Sequence, residues 1–587
     1  RRHQLYNYIG LDATGVMMKW YNRPIHNGRT LGGYAEARRE KVASEAADDM
    51  VTVIADLDKM CDTISRPSKY PYNIAGAFGF GWDDLDTYVS PAFIEAAKKG
   101  TTANRKVRVS NEEDFFEDVV QNKIKLPAEA VSYGNEWDTY CVSMNETTAK
   151  VRRSTEKLRT AEALATIVSL SDKNFAKHLR PLKETAWDAF GLYWEHDWTA
   201  DGPVSQKARA EWQIKLQQQI TTYTDTLFSL AANMLGNQLN KSAHQRFFVF
   251  NALSWVRSDV ADVLYTGTYP VKVVDVTTNK EAASQLITKG GKKILRIHAE
   301  NLPSVGYKVF EIRQGTPAER PLAAVVAGDY FSNNLYRVRL TRSGAITDIF
   351  DKLANNRQLV KTVDGKFLND LGTTDVNDGE PLVIENGGPG SVPLKAGSEN
   401  PILHTVRITL FANSPRIEIE DSIQANYGDL KLWSFSFNLE NPTTRHEELG
   451  AILTAKKETR GGHYAAQNAR YDWQTFNHFA DMSDGNYGIT LSNMDCSFFR
   501  LGKSTPDSLW ENSPQLNALA GGQTDRYTLN PQGHKDTLML GIYNQYGQNN
   551  FQYQFALSTH ATAFDPVAAM KFSLASKPVG KQNDYRQ

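Results

Sequence analysis

Near residue 240 the apolar residues of this chain change their spacing, and no single class of secondary structure accommodates both patterns. Across 147–236 they recur every three or four positions: Leu158, Ala161, Ala165 and Val168 share one helical face, and Trp187, Phe190 and Trp194 stand at i, i+3 and i+7. Leu216, Ile220, Tyr223, Leu227, Leu230 and Met234 keep a heptad, with Ser205 available as the helix N-cap and Gly236 as its stop. Beyond 240 the period becomes two. RFFVFN (246–251), LYRVRL (335–340), VRITLF (406–411), RIEIE (416–420), LWSFSFNL (432–439) and FQYQFAL (551–557) alternate or run apolar between Gly, Asn and Pro turns. Side chains with period 3.6 and period 2 cannot share one element type. The spacing therefore predicts a three-helix bundle over 145–240 and a large antiparallel β-sandwich region over 241–587.

The first 144 residues read as α/β. Residues 34–57 and 91–99 have helical spacing, the second opened by Pro91, and Ser110 to Glu113 fits a capping box before Phe115 and Phe116. Between them IAGAFGF (74–80) reads as a buried strand that breaks into Gly81-Trp82-Asp83-Asp84, and 126–133 repeats the pattern before Gly134-Asn-Glu-Trp-Asp138. Open α/β sheets place their sites outside such strand ends. Asp83 and Asp84 suit general acid work, because an apolar neighbour such as Trp82 raises one carboxyl pKa while the other stays ionised. They serve equally as caps of a turn. With 587 residues, more than the roughly 250–300 that one core supports, several domains are required.

Sixty-six basic and 67 acidic residues, spread without long runs, leave a formal charge of -1 and no electrostatic footprint for nucleic acid. No stretch approaches the roughly 18–20 apolar residues of a membrane span. Cys61, Cys141 and Cys496 lie far apart and form neither a thiolate metal motif nor a disulfide scaffold. Phosphate loops, nucleophile elbows and dinucleotide fingerprints are absent from the sequence.

What remains is LYWEHDWTADGP (192–203), where Glu195, His196 and Asp197 stand in a row between Trp194 and Trp198 at a helix end. Polar groups among aromatics require partners, since desolvating unpaired charge is costly. Spacing alone leaves His196 open between a hydrogen-bonded structural residue and a metal ligand, and leaves Trp137 and Tyr140 open between core aromatics and walls of a binding pocket.

The order of segments along the chain resembles glycoside hydrolase family 38, the class II α-mannosidases. The resemblance rests on GLDATGVMMKWY (10–21), FGFGWDD (78–84), YGNEWDTY (133–140) with RRSTEKLRTAEA (152–163), YWEHDW (193–198), FVFNALSW (248–255), LPSVGY (302–307), NLYRV (334–338) with GAIT (344–347), and DMSDGNYG (481–488). It implies a retaining, zinc-dependent hydrolase of α-mannosidic bonds. His196 becomes a Zn2+ ligand, Asp84 the acid/base residue with Asp83 as the alternative, and Asp197, Trp137 and Tyr140 substrate-binding residues. The family's His-x-Asp zinc pair and nucleophilic aspartate fall upstream of Arg1, so the resemblance implies the later part of such an enzyme, with 1–144 as the C-terminal part of the α/β catalytic domain and inactive by itself. An α-mannoside glycan is the expected partner, with a second copy of the chain or the upstream segment as assembly options, and neither nucleic acid nor membrane. The alternative is a catalytically incomplete carbohydrate-binding or scaffolding relative; a β-sandwich polysaccharide lyase ranks behind both. The sequons at Asn145 and Asn240 leave the compartment open, with secreted or periplasmic settings under consideration.

Overall fold

The computed structural model describes residues 4–11, 14–20, 25–26, 29–30, 43–61, 70–76, 91–132, 136–195, 198, 204–373, 375–412, 414–459, 462–466, 470–485, 487–525 and 541–577. They fall into two compact units, 1–133 with 458–467, and 134–457 with 468–587.

In the first unit Leu5–Ile9 pairs antiparallel with Gly15–Lys19 and parallel with Ala128–Glu129. Parallel neighbours need a long crossover, and helices α1 (Ala43–Met60), α2 (Ala92–Gly100) and α3 (Glu112–Gln121) lie within it. Val53 and Leu57 pack with Ala96, while Leu5, Tyr70 and Val119 form a second small core beside Phe115 and Phe116. The helix expected over 34–57 runs from 43 to 60 among the described residues, and α2 follows Pro91 directly. The cap of α3 is Asn111 rather than Ser110. Its Oδ1 accepts from the Asp114 N–H at 2.9 Å, while the Ser110 hydroxyl turns to the Asp114 carboxylate. A short amide satisfies an orphan N–H as well as a hydroxyl does, which moves the helix start by one residue. Of the strand expected over 74–80, residues 77–80 lie outside the described residues and 74–76 pair with no described strand; of 126–132 only Ala128–Glu129 is a strand.

The second unit opens with three helices, α4 (Asn145–Ser169), α5 (Arg180–Tyr193) and α6 (Gln206–Asn237). Leu158, Ala161, Ala165 and Val168 of α4 are all buried, against Tyr223, Leu227, Phe228, Ala231 and Leu235 of α6. Ser205 caps α6, accepting from the Ala208 N–H at 3.2 Å. Gly236 does not stop it: the glycine is buried inside the helix, which ends at Asn237. The heptad also fails at its C-terminal end, where Leu230 is 37% exposed and Ala231 and Leu235 carry the stripe. A straight helix drifts about 20° per heptad from a 3.5-residue repeat, so the buried line has moved one position by the third turn pair. On α5 the two tryptophans of the aromatic stripe face outward, Trp187 and Trp194 being about half exposed, while Phe190 packs partly buried against the core and Ala186, Ala189 and Tyr193 are buried.

The rest is antiparallel sheet, and every alternating segment named above lies in or overlaps a strand. A three-stranded sheet (Ser284–Lys289, Lys292–Leu302, Arg257–Leu264) and a four-stranded one (Gln245–Asn251, Gly306–Gln314, Val271–Asp275, Lys280–Ala282) share a core of Phe247, Val249, Val263, Leu295, Ile297 and Phe310. A nine-stranded sheet follows, ordered Val383–Ile384, Ser391–Ser398, His404–Phe411, Ile417–Ile423, Phe551–His560, Tyr487–Asn493, Phe479–Asp484, Thr443–Glu448, Ala451–Thr454. Trp433 and Phe435 of a separate four-stranded sheet meet Tyr553 and Phe555 of this one, at ring separations of 6.0 and 4.9 Å. Helix α7 (Pro566–Ser576), capped by Asp565, precedes the buried Lys577, whose ammonium donates to the Asn493 carbonyl. The chain is thus multidomain and mixed, with α/β elements, helices and a majority of antiparallel sheet. No helix among the described residues is long and apolar enough to cross a membrane.

Candidate functional site

Asp83, Asp84, His196 and Asp197 lie outside the described residues, and so does the side chain of Trp137. The frame on either side of residues 196–197 is described. Helix α5 ends at Tyr193, whose side chain is fully buried. The Tyr193 hydroxyl stands 2.9 Å from Thr148 Oγ1, and the Thr148 hydroxyl in turn donates to the Cys141 carbonyl at 2.9 Å. With the threonine proton committed there, tyrosine is the donor of the first bond. Burial drives the Tyr193 phenol well above its ordinary pKa, so it stays protonated.

Past the helix end the Trp198 backbone N–H donates to the Glu195 carbonyl at 3.1 Å. Trp198 is buried with its ring edge-on to Tyr193 at 5.9 Å, and Gln213 of α6 donates from Nε2 to its carbonyl at 3.5 Å. Trp194, on the same tyrosine at 5.1 Å, remains about half exposed. The Trp198 indole N–H and Gln213 Oε1 are buried without a partner among the described residues.

Tyr140 belongs to the same buried cluster as Tyr193 and Trp198. It sits in the 3-10 helix Glu136–Met144, which the far end of the chain fixes from several directions. Ser143 Oγ donates to the Tyr140 carbonyl and accepts from the Ile542 N–H, both at 2.8 Å. The adjacent Gly541 has φ +87°, and a Cβ there would stand 2.2 Å from Ser143 Oγ, so only glycine permits this approach. Gln545 accepts from the Asn145 N–H at 2.8 Å at the start of α4. Cys141 is buried beneath, and desolvation pushes its thiol up to about 12, which removes it as a nucleophile near neutral pH.

Tyr140 and the two aromatics that flank residues 196–197, Tyr193 and Trp198, therefore belong to one cluster, although Tyr140 and Tyr193 stand 53 positions apart. Sequence reasoning missed Thr148, Gln213, Ser143 and Gln545. Their patterns are ordinary for helix and turn residues, and their partners lie up to 403 positions away. Among the described residues no group of three or more His, Cys, Asp and Glu gathers where it could hold a metal ion.

No protein-family model matches this chain, and no curated protein matches it. Solved structures do. An α-mannosidase from Enterococcus faecalis V583 superposes with a TM-score of 0.63 at 13% identity, covering 98% of this chain and 71% of the other. A glycosyl hydrolase family 38 protein from Enterococcus faecalis gives a TM-score of 0.60 at 13% identity over the same shares. At this identity the likeness shows the fold: the chain has a family 38-like fold along nearly its whole length.

Proposed function

We propose that the polypeptide is a retaining, zinc-dependent glycoside hydrolase that cleaves α-mannosidic bonds. The observation that carries this is the fold likeness to an α-mannosidase over 98% of the chain. In this reading residues 1–144 are the end of the catalytic α/β domain, 145–240 a three-helix bundle and 241–587 β-sandwich domains.

His196 is a zinc ligand, carried between the buried Tyr193 and Trp198; the Trp198 indole N–H and Gln213 Oε1, buried and without a partner among the described residues, support a polar occupant nearby. The described residues do not complete a metal site, and in this reading the remaining ligands lie outside them. Asp84, with Asp83 as the alternative, protonates the departing glycosidic oxygen. A retaining enzyme holds a second carboxylate about 5–5.5 Å from that acid; this carboxylate bonds to the anomeric carbon as the glycosidic bond breaks, and the residue that gave up its proton then takes one from the water that releases the sugar. Asp197 accepts hydrogen bonds from sugar hydroxyls, and Trp137 and Tyr140 wall the pocket. The shared burial of Tyr140, Tyr193 and Trp198 supports one location for Tyr140 and the stretch that carries His196 and Asp197.

The test is turnover of 4-nitrophenyl α-D-mannopyranoside by the full polypeptide, with metal content and the anomer first released measured alongside. The expected result is bound zinc, α-mannose as first product, and joint loss of zinc and turnover in His196→Ala. Undiminished zinc and turnover in that variant overturn the assignment.

A further inference from the structure

The segment Asp481–Gly488 stands out in the sequence yet has no part in the proposed chemistry. Its turn forms one wall of an open cleft of about 590 Å³ at one end of the nine-stranded sheet. That volume falls within the roughly 300–1,000 Å³ of small-ligand sites. The other walls are Arg357 and the link between Lys431–Ser436 and Thr443–Glu448, which supplies Asn438, Glu440 and Asn441.

The cleft is built around one ion pair. Arg357 Nη2 donates to both oxygens of Asp484 at 3.0 and 3.2 Å, and its guanidinium lies 4.0 Å from the centre of the buried Tyr487 ring. The Glu440 N–H donates to Asp484 Oδ2 at 3.1 Å, tying the link to the turn. Asn441 follows with φ +46°, a left-handed conformation that asparagine tolerates better than most residues. Asn438 spends its amide N–H on the Gln358 carbonyl at 3.0 Å. The side chains of Glu440 and Asn441 are exposed and form no hydrogen bond or ion pair with a described residue.

These groups select a ligand class. An anion finds no free cation, because Asp484 already occupies Arg357 and Glu440 repels it. A metal ion would meet the guanidinium beside the carboxylate it needs. An apolar molecule finds no apolar wall, since the Tyr487 ring is covered by Arg357. A neutral polyhydroxyl ligand fits these walls: Glu440 and Asp484 accept from its hydroxyls, and the Asn441 amide and the Arg357 nitrogens not bonded to Asp484 donate. We infer that this cleft is a second carbohydrate site, one that binds neutral sugar hydroxyls without cleaving them. It goes beyond the proposed hydrolysis.

The experiment is hydrogen–deuterium exchange with mass spectrometry on the full chain, titrated with methyl α-D-mannopyranoside and separately with calcium chloride. The sugar is expected to slow exchange across 438–443 and 483–487. A double variant, Glu440→Ala with Asn441→Gly to keep the left-handed backbone, weakens that protection at least tenfold. Its melting midpoint and aryl α-mannoside turnover stay unchanged, because both side chains are exposed and neither serves the proposed chemistry. Absent protection at millimolar sugar, protection indifferent to the double variant, or protection by calcium in place of sugar each overturn the inference. A chain that shows cleft protection without hydrolysis refutes only the proposed function; hydrolysis without cleft protection refutes only the second site.

Discussion

The hydroxyl relay from Tyr193 through Thr148 to Cys141 makes a quantitative prediction about what holds the His196 turn. Thr148→Val keeps shape and branching in the first turn of α4 but removes the hydroxyl at a fully buried position. Two groups then lose a partner in the interior, the Tyr193 hydroxyl and the Cys141 carbonyl. At about 1–3 kcal/mol for each buried group left unsatisfied, the substitution costs about 2–6 kcal/mol. Tyr193→Phe leaves the Thr148-to-Cys141 bond intact and forfeits one neutral hydrogen bond, about 1 kcal/mol. In the double variant only the carbonyl is stranded, so the total is about 1–3 kcal/mol, less than the summed singles by about 2–4 kcal/mol. Urea unfolding followed by tryptophan fluorescence reads this cluster, since Trp194 and Trp198 both lie against Tyr193. The comparison uses midpoints of that transition at constant slope, because a chain of several domains need not unfold in one step. Costs that simply add would show that the two hydroxyls act independently, and the relay would no longer explain the anchoring of the turn.

Three further outcomes are expected. Asp472→Ala removes both 2.7 Å hydrogen bonds from Asp472 to the guanidinium of Arg470, whose side chain is 2% exposed and which keeps the Asp525 carbonyl at 2.8 Å and its carboxylate at 3.5 Å; calorimetry should show a loss of about 2–3 kcal/mol, whereas Glu184→Ala in the exposed pair with Arg180 stays within about 0.5 kcal/mol. Burial raises the Glu156 carboxyl, but the hydrogen bond with His478 and the charges of Lys577 and Arg159 outweigh it and hold the group at about 2 against an ordinary 4.5. Its contribution, about 3 kcal/mol, is present above pH 4.5 and lost as pH falls toward 2, so Glu156→Gln should flatten the acid limb of the stability curve. Because burial lifts the Cys141 thiol from 9.0 to about 12, stability from this group is complete below pH 9 and falls by up to about 1.4 kcal/mol per unit above it; iodoacetamide at pH 8 should leave Cys141 unmodified until the chain unfolds.

The alternation of apolar and polar residues beyond 240, and the helical spacing before it, sufficed to set element type, because periods of 2 and 3.6 bury different side chains and cannot exchange. Ser205 was legible as a cap for the same local reason. The sequence also singled out the row Glu195-His196-Asp197, since desolvated charge between tryptophans demands partners. Locality is where legibility stops. Which face of α5 is buried depends on the helix packed against it, and the alanines rather than the tryptophans turned inward. The one-residue drift along α6 follows from helix geometry acting over three heptads, and the exchange of Asn111 for Ser110 from two side chains competing for one N–H. The anchoring of the candidate turn was invisible for a plainer reason: Tyr193 meets Thr148 across 45 positions and Asn145 meets Gln545 across 400, and a hydroxyl or an amide carries no local mark of a partner that only folding brings within 3 Å.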